Sequence, residues 1–320
     1  MESLTDFITL YRWNDIFTIW FVLVDDAHTL LHRHFGEWRT RGPKPVFADS
    51  EVITIALIAD TFFAGREDKT LAFVRQYHLE LFPHLPSAGC FNTRRRALSL
   101  IAEQVRRVLL GQWGLLENGE GEHTTDRLVD SAPIPVCTYT RAKENRTIEQ
   151  TCQPRDLYFG VSASRKAKLF GFRLHLETTT QGVVDSWLLA PCGMHDSQAL
   201  AGLHMGEELH NLTMLADGAF NNPSWLAQVR HRQDSSIRLW ATPRLDSRHP
   251  WPAEFRTFIT RIRRRIETAL SVLCTVFNIE QPGSRSLTGL VARTSTRILA
   301  YTLAFITGPL LAIFGFQTQN

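Results

Sequence analysis

The 320 residues are 44% hydrophobic, enough for a sizeable core and too much for a broadly disordered chain. With 35 basic and 32 acidic residues, the formal net charge is only +3, so overall charge does not mark a nucleic-acid binder. Five scattered cysteines, odd in number and without a CxxC pair, argue against a disulfide framework or a cysteine zinc site and fit a reducing cytosol.

The length suggests about two domains. Glu2 and Asp6 stand where a signal peptide would need a basic start, so none is expected. Trp13 to Phe35 carries apolar residues at helical spacing without Gly or Pro. On that helix His28 and His32 share a face and, with His34, raise the question of zinc, but no Glu follows His28 and no fourth ligand is evident. Asp49-Ser50-Glu51 reads as a helix start before Val52 to Phe63, Ala64-Gly65-Arg66 as a turn, and Lys69 to His78 as a further helix. Pro83 and Pro86 bound a loop, after which Asn92 or Thr93 is expected to cap a basic helix from Arg94 to Leu110. Small helices ending in a basic one suit DNA binding, and serve equally as a plain scaffold. Gly111, Gly114, Gly119 and Gly121 then mark a change of composition. The expected division is a helical, DNA-binding domain over 1–120 and a second domain over 121–320.

The second part turns strand-like. Leu128-Val129 leads into Asp130, Phe170 to Leu176 alternates as a half-buried strand, and Thr179 to Gly182 turns into a second strand, Val183 to Ala190. Ser197 to Leu209 reads as a helix, Leu212 to Ala216 as a strand, Ser224 to His231 as a helix after Asn222-Pro223, and Ile237 to Ala241 as a last strand. A proline-bearing loop, Thr242 to Pro252, precedes long helices from Glu254 to Phe277 and from Leu287 onward. This order fits an α/β fold with a mixed β-sheet flanked by helices. The apolar stretch Ile298 to Phe316 is barely long enough to span a membrane, and a buried helix broken near Gly308-Pro309 is the better reading.

Three acids stand out. Asp130 and Asp217 each end an apolar run, and Glu267 lies on the helix that carries Arg261, Arg263, Arg264 and Arg265. Cutting a phosphodiester needs an activated nucleophile, a stabilised phosphoryl oxygen cluster and a leaving oxygen. Two Mg²⁺ ions about 4 Å apart supply all three, and carboxylates are the hard ligands that hold them. Singly each acid has an ordinary alternative, as a turn former, a helix cap or a surface ion pair. The intervals leave room for a hairpin and helix between the first two, and for a helix, a strand and a loop between the last two.

The strings Val129-Asp130-Ser131-Ala132-Pro133, Gly171-Phe172-Arg173-Leu174-His175-Leu176, Leu215-Ala216-Asp217-Gly218 and Arg264-Arg265-Ile266-Glu267 resemble successive blocks of a DDE transposase from a bacterial insertion sequence. Ile298 to Leu303 and the leader segments Asp49 to Ile53 and Phe82 to Pro86 extend the likeness over most of the chain. The resemblance implies an RNase H-like catalytic core preceded by an all-helical domain, in a compact branch without an inserted β domain. It implies two Mg²⁺ ions, with Mn²⁺ as a substitute, held by Asp130, Asp217 and Glu267, Asp130 bridging both. It also implies double-stranded DNA as partner (element ends and target), a dimer or higher assembly on that DNA, no membrane, and a cytoplasmic, nucleoid-associated location. Many relatives carry Tyr, Arg and Lys around the last Glu. Here Arg263 fits the Arg position, while Thr260 and Cys274 stand where Tyr and Lys are expected.

Other residues carry smaller expectations. His175, His195 and Asp196 are candidates to support the metal ligands from behind, with packing and helix capping as the alternatives. Arg94, Arg95 and Arg96, and Arg261, Arg263, Arg264 and Arg265, are candidate phosphate contacts. Trp251 is either a base-stacking residue or a loop anchor. Two competing functions stay open at this stage: a catalytically inactive, transposase-derived DNA-binding protein, and another RNase H-like nuclease.

Overall fold

The computed structural model describes residues 4–38, 42–115, 125–144, 154–162, 167–205, 209–243 and 250–313. Five helices come first: α1 (Leu4–Phe35), α2 (Asp49–Phe62), α3 (Glu67–Tyr77), α4 (Ala88–Ala97) and α5 (Ser99–Gln112). Then follow β1 (Thr125–Thr138), β2 (Phe159–Ser162), β3 (Ala167–Thr179), β4 (Val184–Pro191), α6 (Asp196–Leu203), β5 (Leu212–Asp217), α7 (Pro223–Arg232) and β6 (Arg238–Thr242). Two long helices end the chain, α8 (Ala253–Thr275) and α9 (Leu287–Ile313).

These elements form two compact units. The helical unit comprises Met1–Leu115, Val276–Asn278 and Pro282–Asn320, and the sheet unit comprises Leu116–Thr275 and Ile279–Gln281. The division expected at residue 120 falls on residues 116–124, which lie outside those described. At the other end of the chain the structure differs from expectation: α9 packs against α2, α4 and α5 instead of belonging to the sheet unit. Its apolar residues explain this, since Leu290, Ala292, Ile298, Leu299, Ala300 and Leu303 are buried and need a helical partner surface.

The helical unit has a second kind of glue. Arg95 on α4 is 3% exposed and pairs with Asp60 of α2 and with Glu67 of α3 at 2.9 Å. Thr296 on α9 donates to Asp60 at 2.6 Å, Arg293 reaches Glu67 at 3.2 Å, and Arg297 lies 3.6 Å from Asp60. The predicted single helix from Arg94 to Leu110 is two. Ser87 caps α4 by accepting from the Cys90 N–H, and the chain bends at Leu98 before α5. The break expected near Gly308-Pro309 is also absent, because α9 continues to Ile313.

In the sheet unit the strand order is β2-β3-β1-β5-β6, with β4 on the same edge of β3 as β2, further along. β3 is antiparallel to β1, β2 and β4, while β1, β5 and β6 run parallel. This is the expected α/β architecture, a mixed sheet of RNase H-like type preceded by helices. Val129, Met214 and Ala216 share one face and are covered by Leu200 of α6 and by Trp225, Leu226 and Val229 of α7. The short β2 has no counterpart among the predicted elements. α6 is shorter than predicted, ending at Leu203, and residues 206–208 lie outside those described.

Candidate active site

The parallel pairing of β1 with β5 runs in register from Thr125 with Leu212 to Val129 with Ala216. Asp130 and Asp217 come next, one on each strand. Strand side chains alternate, so both leave the sheet on the face of Leu128 and Leu215, opposite to that covered by α6 and α7. β5 ends at Asp217, whose Oδ1 accepts the Gly218 N–H at 2.5 Å and opens a short 3-10 turn over Gly218–Phe220. Only glycine fits there, since a Cβ on Gly218 would meet the Thr242 carbonyl oxygen at 2.6 Å.

β1 does not end at Asp130, contrary to expectation. It runs on to Thr138 with its other edge bonded to β3, Asp130 lying opposite Leu176. Pro133 and Pro135 fit because the β5 pairing has already stopped at Val129, so their missing N–H groups leave no ladder bond unmade on that flank. Asp130 therefore sits where a central strand loses one neighbour. β3 still pairs with it on one side, and its side chain projects from the sheet face beside the place where β5 stops.

α8 supplies the third acid. Ile259, Ile266, Ala269, Leu270 and Leu273 recur at helical spacing, are buried, and lay α8 across β1 and β5. Arg263 stands beside this stripe, with Nη2 3.6 Å from Oδ2 of Asp130. Glu267 is one turn further along and exposed. Burial raises the pKa of Asp130 above that of an ordinary aspartate, and the negative charges of Asp217 and Glu267 push it the same way. The Ser131 N–H, donated at 2.8 Å, and Arg263 oppose the shift without cancelling it. Asp217 and Glu267 thus lie near enough for their charges to act on Asp130.

His175, Arg173 and Asp196 lie elsewhere. On β3, His175 pairs with Ser131 and Arg173 with Pro133, which puts both on the face opposite Asp130. Arg173 Nη1 is 3.4 Å from Asp196, and His175 Nδ1 is 3.9 Å from it. His175 is 0% exposed, packs edge-on against Phe220, and is held neutral by burial with its pKa lowered to about 3. The expectation that His175 supports the acids directly is therefore corrected to a packing role on the other face. His195 is the N-cap of α6, accepting the Ser197 N–H. Asp196 keeps a link to the acids, because the charge of Asp217 helps burial raise its pKa.

The candidate DNA contacts divide. Arg95 is corrected outright: it is buried in the ion network of the helical unit and presents nothing to solvent. Arg94 pairs with Asp49 at 2.5 Å and lies over the Phe47 ring, so its charge is used inside the fold. Arg96 is exposed. On α8, Arg261, Arg264 and Arg265 are exposed, while Arg263 turns inward to Asp130. Thr260 lines with Arg256, Thr257, Arg261 and Arg264 a shallow cavity of about 290 Å³. Trp251 packs with Trp240 and Phe255 as a loop anchor.

Asp130, Asp217 and Glu267 offer oxygen donors suited to a hard divalent cation. Among the described residues no three His, Cys, Asp or Glu side chains already form a metal cage. The donors fit a hard cation by type and charge. His32 instead stacks on Trp38, and His28 packs edge-on against both rings. No disulfide joins Cys90, Cys137, Cys192 and Cys274. No helix among the described residues is long and apolar enough to cross a membrane.

A family model described as "Transposase DDE domain" matches residues 122–303, more than half of the chain, and the chain belongs to that family. It is accordingly a transposase, a metal-dependent enzyme that cuts DNA. No curated protein and no solved structure is a significant match.

Proposed function

We propose that this DDE transposase cuts at the terminal inverted repeats of a bacterial insertion sequence and joins the freed 3′ ends to target DNA, using Asp130, Asp217 and Glu267 as its catalytic acids. The observation that carries the assignment is the register of β1 and β5, which puts Asp130 and Asp217 side by side on the face that α8 crosses with Arg263 and Glu267. In this reading the three carboxylates hold two Mg²⁺ ions, for which Mn²⁺ substitutes. When bound, the ions supply Lewis-acid activation of the nucleophile and charge stabilisation at the leaving oxygen.

The chain's own residues do the rest. β1 and β5 fix two acids on rigid backbone, which orients them better than loops would. Arg263 shields Asp130 from its two neighbours. Arg261, Arg264 and Arg265 on the exposed side of α8 bind phosphates without reading sequence. Hydrolysis of a phosphodiester at each element end leaves a 3′ hydroxyl. That hydroxyl then attacks a target phosphodiester, forming one P–O bond as another breaks, so strand transfer needs no external energy source. Two ends must react together, so a dimer or higher assembly on DNA follows.

The test is a cleavage and strand-transfer assay with terminal-repeat DNA and Mg²⁺. Asp130→Asn is expected to abolish both products, and full cleavage by that variant overturns the assignment. Short inverted repeats and a target duplication flanking the coding DNA are expected as well.

A further inference from the structure

The helical unit contains a pocket lined by Asn92 and Arg96 of α4, by Gly283, Ser284, Arg285 and Ser286 of the preceding loop, and by Gly289 and Arg293 of α9. Its volume is about 390 Å³, and three arginines line it with no carboxylate among them. Arg293 is held from behind, donating to the Gly65 carbonyl at 3.0 Å and to Glu67 at 3.2 Å. Arg96 and Arg285 are exposed at the pocket. The N-terminus of α9, a long helix, opens into it, with Ser286 Oγ accepting the Gly289 N–H at 3.1 Å. The Ser284 hydroxyl oxygen is shut off from solvent and has no hydrogen-bond partner among the described residues.

We propose that this pocket binds a backbone phosphate of DNA, giving the enzyme a DNA contact in the unit that does not carry the acids. Two exposed guanidiniums on one pocket wall, those of Arg96 and Arg285, and a helix N-terminus are what a phosphate diester uses, and none of them recognises a base. The site also gives Arg96 a use that its neighbours lack, since Arg94 and Arg95 are spent on ion pairs within the fold. Arg285 and Arg293 belong to no basic run, so nothing in the linear sequence marks them. The inference rests on the transposase reading, which makes duplex DNA the substrate.

The experiment measures binding of the full-length protein to a labelled DNA duplex across a salt series, without divalent ions so that no strand is cut. Arg96→Ala with Arg285→Ala is expected to weaken binding roughly tenfold and to make the salt slope shallower by about one phosphate contact. Arg285→Lys, which keeps the charge, is expected to keep the slope. Should the double variant fail to fold, Arg285→Glu alone carries the same test. Unchanged affinity and slope overturn the pocket assignment and leave the transposase reading standing, because the parent protein still binds. Failure of the parent to bind any duplex overturns both. Thermal stabilisation by inorganic phosphate that vanishes in the variant, with the DNA slope unchanged, reassigns the pocket to a free anion and overturns the DNA contact.

Discussion

In the helical unit Asp60 and Glu67 face three arginines, Arg95, Arg293 and Arg297. In the sheet unit Asp130, Asp217 and Glu267 meet a single described ion pair, that of Arg263 with Asp130. Both clusters join side chains far apart in sequence; Asp60 of the first is buried, while Asp130 of the second is half-buried. They differ in counter-charge. Where arginines outnumber acids, the network ties four helices together and any unpaired member is costly. Where acids outnumber arginines, the fold keeps negative charge that a cation can neutralise. Burial and neighbouring charge raise the pKa of Asp130, so the protonated form is favoured there more than in an ordinary aspartate.

The sharpest way to break this contrast is to remove an acid from each cluster and compare the losses. Asp130→Asn or Asp217→Asn should reduce cleavage by about 10²–10³-fold or more, the scale of losing a group that acts mainly in the transition state. Neither variant should lose stability, which circular dichroism and thermal melting check. Arg95→Ala should do the reverse in kind. Breaking a buried pair costs about 3–5 kcal/mol, read from chemical denaturation, and the loss should appear without any metal or DNA.

A subtler test uses pH. Because the folded pKa of Asp130 is raised, the native state holds more protons than the unfolded chain between the ordinary aspartate value and the raised one. Stability of the metal-free protein should therefore fall as pH rises through that window, with the full penalty above it. Asp130→Asn should flatten this slope and raise the melting temperature at neutral pH. Divalent cations should stabilise the parent more as pH rises and the proton leaves, and should lose most of that effect in the variant. An equal cation effect in both would mean that Asp130 takes no part in holding the metal. The smallest change is expected on the exposed side of α8. Arg264→Ala should leave folding intact and reduce the salt slope of DNA binding by about one.

Much of this was legible in the linear chain. Asp217-Gly218 reads as a strand end and is one, because a short apolar run followed by glycine is a local signal. Alternation from Phe170 to Leu176 announces β3, and the turn at Thr179 to Gly182 announces its hairpin with β4. The stripe on α8 is visible as period. Other features were not. Nothing near Asp130 says that β1 continues past it, because that depends on β3 offering a partner to residues 131–138 after β5 has stopped. Arg94-Arg95-Arg96 looks like one basic patch, yet its members have three different fates.

By itself, then, the sequence determined most of the element types and the mixed α/β order, since each is written in neighbouring residues or in a spacing of a few turns, while the three acids were singled out by family resemblance. Only the tertiary structure decided which charges belong to the fold and which face solvent. Arg95 is buried because Asp60, Glu67 and Thr296 meet it, the last from 201 positions away. Arg96, one residue on, points to a loop before α9 instead. A side chain's partner depends on which elements pack together, and that is settled by burying apolar surface along the whole chain.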